Sequence, residues 1–140
     1  MPGAVEAAGA LVAWGVDLVV VGGTALWLHG DRSDPLNDLD VVPAPDPDNL
    51  DRLVASGVEM VTDPRRWPTR RSLQSLGLVS VRSVYGPIDL LCERGREEFD
   101  RLRASASILP ADGIATPVAA IADVRRLKAR FKEEEPGGRS

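Results

Sequence analysis

The chain has one cysteine, Cys92, and one histidine, His29. A lone cysteine closes no internal disulfide and builds no thiolate metal site, which excludes a disulfide scaffold. Such sparing use of cysteine suits a reducing compartment, and the expected location is the cytoplasm. Aromatic residues make up only 4% of the sequence. No apolar run approaches the ~18 residues needed to cross a bilayer, and no membrane partner is expected. Met1 to Ala13 carries Glu6 and no Lys or Arg ahead of its apolar part, so it does not read as a signal peptide. Basic residues are scarce in the first 60 positions, where Arg32 and Arg52 face ten acidic residues for a net −8. The remainder holds fifteen basic and eleven acidic residues, a net +4, and the whole chain is −4. An acidic half beside a basic half suits a site holding cations next to a surface holding phosphates. Ordinary scattered surface charge is the plainer explanation of the same numbers.

What is present describes a globular chain. Of 140 residues, 44% are hydrophobic and 27% charged, enough length and apolar content to bury a core. A single domain is expected over residues 1–135, with a disordered tail over 136–140. Residues 4–14 are mostly Ala, Val and Leu and read as a helix. Asp17 to Val21 is apolar and β-branched, a buried strand ended by Gly22 and Gly23. Thr24 to Leu28 reads as a short helix, with Thr24 as its cap. Asp31 to Asn37 is a loop by composition. Asp38 to Pro43 alternates and reads as a second strand. Asp46-Pro47-Asp48 starts a helix that ends near Gly57, with Asp46 as cap. Val58 to Thr62 is a candidate short strand. Asp63 to Arg71 reads as a basic loop around Trp67. Leu78–Tyr85 and Ile88–Cys92 flank Gly86-Pro87 and read as a hairpin. Glu97 to Ala104 is helical, and Thr116-Pro117 opens a last helix with Ile121, Val124, Leu127 and Phe131 on one face. The order predicts an α+β (α/β-like) fold, a small mixed β-sheet backed by helices.

Three features carry chemistry. Asp38 and Asp40 stand two apart on a strand, so both side chains point to one face while Leu39 and Val41 point to the other. Like charges on one face repel, and a cation between them relieves the repulsion. A solvated strand edge is the bland alternative. Oxygen ligands without His or Cys suit Mg²⁺ or Mn²⁺ rather than zinc. Asp89 sits in the otherwise apolar stretch Pro87 to Leu91, where an isolated acid is costly unless paired or metal-bound. If its strand lies beside that of Asp38 and Asp40, three carboxylates converge, an arrangement suited to phosphoryl transfer. Gly22 and Gly23 join a buried strand to a helix, where a backbone without Cβ atoms admits close approach of a phosphate. Neither a dinucleotide-binding fingerprint nor a P-loop is present.

The run Val19-Val-Val-Gly-Gly-Thr-Ala-Leu-Trp-Leu-His-Gly30, followed by Asp38-Leu-Asp40 and later Asp89, resembles the nucleotidyltransferase superfamily, whose fold is that of the DNA polymerase β catalytic core. It looks closest to minimal members, including AbiEii-type nucleotidyltransferases of toxin–antitoxin systems. The resemblance extends to Val16-Asp-Leu and to the helix ending in basic residues over Thr116 to Lys128. It implies the nucleotidyltransferase fold and a catalytic, metal-binding set of Asp38, Asp40 and Asp89. It implies a nucleotide-binding set of Gly22, Gly23, Thr24 and Arg32. The implied reaction moves a nucleotide from an NTP such as ATP to an acceptor hydroxyl on RNA, tRNA or protein, with Mg²⁺ or Mn²⁺ as cofactor and pyrophosphate as product. A toxin or antitoxin partner protein is implied as well. Relatives often place Arg, then Thr or Ser, four and two residues before Asp-x-Asp; here Asp34 and Leu36 stand there, and Arg32 and Ser33 lie two residues further back.

That lengthened loop supports a different expectation, a catalytically inactive nucleotide- or protein-binding module on the same fold. A third rests on Arg65, Arg66, Arg70 and Arg71 around Trp67, which suit RNA phosphates and a stacked base. A solvated loop is the alternative there. His29 is expected to pack or cap rather than catalyse. Cys92, Trp14 and Trp27 are expected in the core, and Arg125, Arg126, Lys128, Arg130 and Lys132 form a basic face on the last helix.

Overall fold

The antiparallel pairing of Leu18–Val21 with Asp40–Pro43 organises the molecule. The structure is a computed structural model that describes residues 3–134, with side chains through residue 129. The expected tail and the side chains of Arg130, Phe131 and Lys132 lie outside the described residues.

Helix α1 (Ala4–Ala13) leads into strand β1 (Leu18–Val21), helix α2 (Gly22–Leu28) and strand β2 (Leu39–Pro43). Helices α3 (Pro47–Ala55), α4 (Gly57–Met60) and α5 (Arg70–Leu76) follow, with a 3₁₀ turn at Pro64–Arg66 before α5. Strands β3 (Leu78–Ser83) and β4 (Gly86–Leu91) come next, then a 3₁₀ turn at Cys92–Arg94 and helix α6 (Gly95–Ser105). Strands β5 (Ser107–Ala111) and β6 (Ile114–Val118) and helix α7 (Ile121–Glu134) complete the order. The strands form one sheet ordered β3-β4-β2-β1-β6-β5. β2 pairs parallel to β4, and β1 parallel to β6; the other neighbours are antiparallel. The α+β class and the mixed sheet agree with the sequence pattern.

All four residues of β1 are buried, as a central strand covered on both faces requires. α1 packs across β6, β5, β4 and β2, while α2 packs against β1, β2 and α7. The core joins Leu11, Val19, Val20, Leu39, Val41, Leu53, Ile88, Leu90 and Leu102. Asn49, fully inside, bridges the Asp17 and Ala44 carbonyls from its Nδ2 at 2.8 and 2.9 Å and receives the Asp17 N–H at 2.7 Å. That amide clamps the one end of the antiparallel β1–β2 pair where Asp17 and Ala44 meet, beside the Ala44 N–H to Asp17 carbonyl bond of 2.9 Å.

Several expectations are corrected. Val58–Thr62 contains helix, not strand: Gly57 and Met60 are buried three apart while Val58 is 74% exposed, a helical spacing. The basic loop is partly ordered, because Thr69 Oγ1 accepts from the Ser72 N–H at 3.1 Å and starts α5. Thr116-Pro117 does not open the last helix. It lies inside β6, and α7 starts at Ile121. The β5–β6 hairpin was not expected, although its turn is Asp112-Gly113, with φ of 53° and 80°. Asp-Gly supplies the two positive φ values that a tight hairpin turn needs. Asp46 precedes α3 but caps nothing; its carboxylate pairs with Arg96 instead. α2 starts at Gly22 and has no side-chain cap, so Thr24 sits inside it. Trp14 and Trp27 are half-buried rather than in the core, and Trp14 packs against it.

Candidate functional site

Asp40 and Asp89 are partners in the parallel β2–β4 register. Neighbouring strands lie about 4.8 Å apart, and partnered residues send their side chains to the same face. The two carboxyls therefore meet above the sheet. β3 adds Ser80, register partner of Asp89, whose Oγ–H donates to Asp89 Oδ1 at 2.7 Å. On the other flank, Val21 is the partner of Asp40. The chain then turns at Gly22, whose φ of +68° is a left-handed conformation. A Cβ on Gly22 would lie 2.3 Å from Asp40 Oδ2. That glycine is the cradle in which the Asp40 carboxyl rests. Next to it, an added Cβ on Gly23 would meet nothing within 4 Å, so its backbone faces open space.

These residues border a cleft of ≈ 280 Å³. Its floor holds Asp40, Asp89, Gly22 and Gly23. Its walls are the apolar side chains of Leu26, Leu78, Leu91, Val124 and Leu127, with Lys128 at the edge. Burial pushes the Asp40 carboxyl up to about 7, and the neighbouring Asp89 and Asp38 charges push the same way. Such a group holds its proton until an adjacent cation offsets the local negative charge.

Asp38 immediately precedes β2 and does not line the cleft, although its charge acts on Asp40. It is exposed, and together with Gly23, Thr24, Asp34, Pro35, Asn37 and Asp40 it borders a second, polar depression. Asp40 and Gly23 belong to both hollows. Among the described residues, no three His, Cys, Asp or Glu side chains are grouped so as to hold a metal ion. The structure thus brings together two of the expected three acids and leaves Asp38 on the rim. Two carboxylates still fit one metal class. Mg²⁺ and Mn²⁺ are hard cations, and Mg²⁺ is commonly held by one or two carboxylates together with substrate phosphates and water. Asp40 and Asp89 supply two such oxygen ligands once Asp40 gives up its proton.

The remaining expected residues have structural partners. Thr24 is wholly buried, and its Oγ1–H donates to the Asp38 carbonyl at 2.9 Å, tying α2 to the start of β2. Arg32 does not line the cleft; its guanidinium stacks on Trp27, 3.4 Å from the ring centroid. His29 Nε2 lies 2.9 Å from the Ala119 carbonyl and joins the end of α2 to the residue after β6. Trp67 is 7% exposed, and its Nε1–H donates to the Leu53 carbonyl at 3.0 Å. Its ring is unavailable for stacking a base. Arg65 and Arg66 pair with Asp63, and Arg70 with Asp51. Cys92 is held in its thiol form by burial, with a pKa of about 11. Ser80 and the apolar cleft wall went unrecognised in the sequence. Leu26, Leu78 and Leu127 lie far apart in the chain, and only the sheet order and the packing of α7 gather them.

A solved structure is similar: a candidate nucleotidyltransferase from Thermotoga maritima, a crystal structure at 1.87 Å. The two superpose with a TM-score of 0.57 at 12% identity, over 84% of this chain and 75% of that one. The two chains share a fold. At this identity the likeness speaks for architecture alone. No family model matches the sequence, and no curated protein matches it. Among the described residues, no helix is long and apolar enough to cross a membrane.

Proposed function

We propose that the protein is a metal-dependent nucleotidyltransferase that moves a nucleotide from an NTP to an acceptor hydroxyl. The observation that carries this reading is the Asp40–Asp89 carboxyl pair at the floor of a glycine-lined, apolar-walled cleft. The nucleotidyltransferase-like fold supports it. Asp40 and Asp89 would hold Mg²⁺ or Mn²⁺, with Asp38 at the rim as a further oxygen donor. Bound there, the cation would offset phosphate charge and lower the pKa of the acceptor hydroxyl.

The chain's own residues supply positioning. Gly22 and Gly23 lie against the triphosphate, because no Cβ keeps the backbone at a distance. Lys128 reaches the phosphates from the cleft edge as a point charge. Leu26, Leu91, Val124 and Leu127 cover the base or sugar and exclude water. The acceptor oxygen bonds to the α-phosphorus as the bond to the β-phosphate oxygen breaks, and pyrophosphate leaves. A carboxylate of the pair would take the hydroxyl proton. An RNA, tRNA or protein acceptor and a role beside a toxin or antitoxin partner belong to the same proposal, supported by the motif resemblance alone.

Labelled NTP, Mg²⁺ and candidate acceptors test the assignment. Asp40→Asn and Asp89→Asn should each lower transfer by on the order of a thousandfold, several kcal/mol of transition-state stabilisation. Transfer at the wild-type rate in both variants rejects it. A second reading, an inactive nucleotide-binding module, is favoured by the rim position of Asp38 and by Arg32 stacking on Trp27. It predicts NTP binding, followed by calorimetry, that is indifferent to Mg²⁺.

A further inference from the structure

Ser80, Asp89 and Asp40 form one transverse row across β3, β4 and β2. β3 is the edge of the sheet, and Ser80 is exposed. A serine there has water available for its hydroxyl. It donates instead to a single carboxylate oxygen, Asp89 Oδ1, at 2.7 Å. The flanking residues on that face of β3 stand opposite other positions, Leu78 opposite Leu91 and Arg82 opposite Pro87, so Ser80 is the β3 residue in register with Asp89. The terminal torsion of an aspartate is broad, so a free carboxylate swivels. A hydroxyl fastened to Oδ1 sets the plane of the group and leaves Oδ2 for the site.

We propose that Ser80 is a positioning residue, which orients the Asp89 carboxylate so that it and Asp40 meet a divalent cation in a ready geometry. The inference rests on the carboxylate reading given above. Partners of metal-binding carboxylates commonly contribute roughly 10–100-fold in metal affinity. An exposed serine belongs at the low end of that span. Ser80 touches neither the cation nor the substrate; it acts through Asp89.

The test is Mn²⁺ binding to the whole metal-free protein, followed by calorimetry, with no nucleotide and no turnover. Ser80→Ala should weaken binding by about tenfold with little change in melting temperature. Ser80→Val, a better strand former that also lacks the hydroxyl, should show the same loss and guards against a folding artefact. Ser80→Thr keeps the hydroxyl and should bind within about twofold of wild type. Wild-type binding in Ser80→Ala and Ser80→Val, with Asp40→Asn and Asp89→Asn both weakened, overturns the role of Ser80 alone. A Ser80→Thr variant as weak as Ser80→Ala also overturns it, because the effect would not follow the hydroxyl. Wild-type binding in the two aspartate variants overturns the carboxylate reading and this inference with it.

Discussion

Gly22 and Asp40 are in contact so close that a single methyl on the glycine would occupy the space of the Asp40 carboxyl oxygen, 2.3 Å away. The strand-to-helix turn and the acid on the neighbouring strand are therefore one device. The turn forms without strain only with glycine, and the acid can sit over it because glycine leaves the space.

Gly22→Ala tests that device. The backbone at Gly22 has a φ of +68°, which costs roughly 1–2 kcal/mol for a residue with a Cβ. The new methyl also forces Asp40 to rotate away. The expected result is a modest fall in the urea midpoint together with loss of Mn²⁺ binding. Gly23→Ala, which meets no neighbour and needs no left-handed backbone, should leave the midpoint nearly unchanged and serves as the control for an added methyl in this turn.

Asp40 makes stability depend on pH. In an unfolded chain an aspartate titrates near about 3.9, whereas burial holds this one up to about 7. Folding thus favours the protonated carboxyl. That contribution is fully present below about pH 4 and is lost as the pH rises through 7. In metal-free protein, Asp40→Asn should gain on wild type across this window, by on the order of 1–3 kcal/mol. Urea melts at pH 4, 5.5 and 8 measure it; a variant-to-wild-type difference that stays flat with pH counts against the assignment. Since Asp40 and Asp89 interact, the titration belongs to the pair.

Lys128 and Arg32 should separate cleanly in nucleotide binding. Lys128 borders the cleft, while Arg32 stacks on Trp27 outside it. Lys128→Ala should weaken NTP affinity by about tenfold, equivalent to one lost charge-assisted contact of about 1.4 kcal/mol. Arg32→Ala should bind NTP as wild type does. Equal losses in the two variants, read by titration calorimetry, would place Arg32 in the nucleotide site after all.

Trp67 should matter for folding and not for RNA. Its ring packs against Gly57, and its N–H is bound to the Leu53 carbonyl. Trp67→Ala should cost about 3–5 kcal/mol, as for other buried large-to-small changes. The exposed pair Arg65→Ala and Arg66→Ala should melt like wild type. RNA affinity that falls with a Trp67→Phe variant of unchanged stability would restore a stacking role.

Much of the fold was legible because periodicity and backbone chemistry act locally. A β-branched run ending in two glycines makes a buried strand and a tight turn wherever it occurs, and Asp38 and Asp40 share a face on any strand. The Asp112-Gly113 turn is equally local, but Thr116-Pro117, which reads as a helix start, lies inside its second strand and hides the hairpin. Thr24 and Trp67 misled because their side chains suit caps and base stacking, whereas buried partners claimed both. Short-range forces acting along the chain thus determined β1, the glycine turn and β2 with Asp40 on it. Only the tertiary structure decided which acids meet. Hydrogen-bond register between β2 and β4 put Asp89 beside Asp40 and not Asp38. The edge position of β3 supplied Ser80, and the packing of α7 closed the apolar wall. Those outcomes depend on strand order and long-range burial, which residue spacing does not encode.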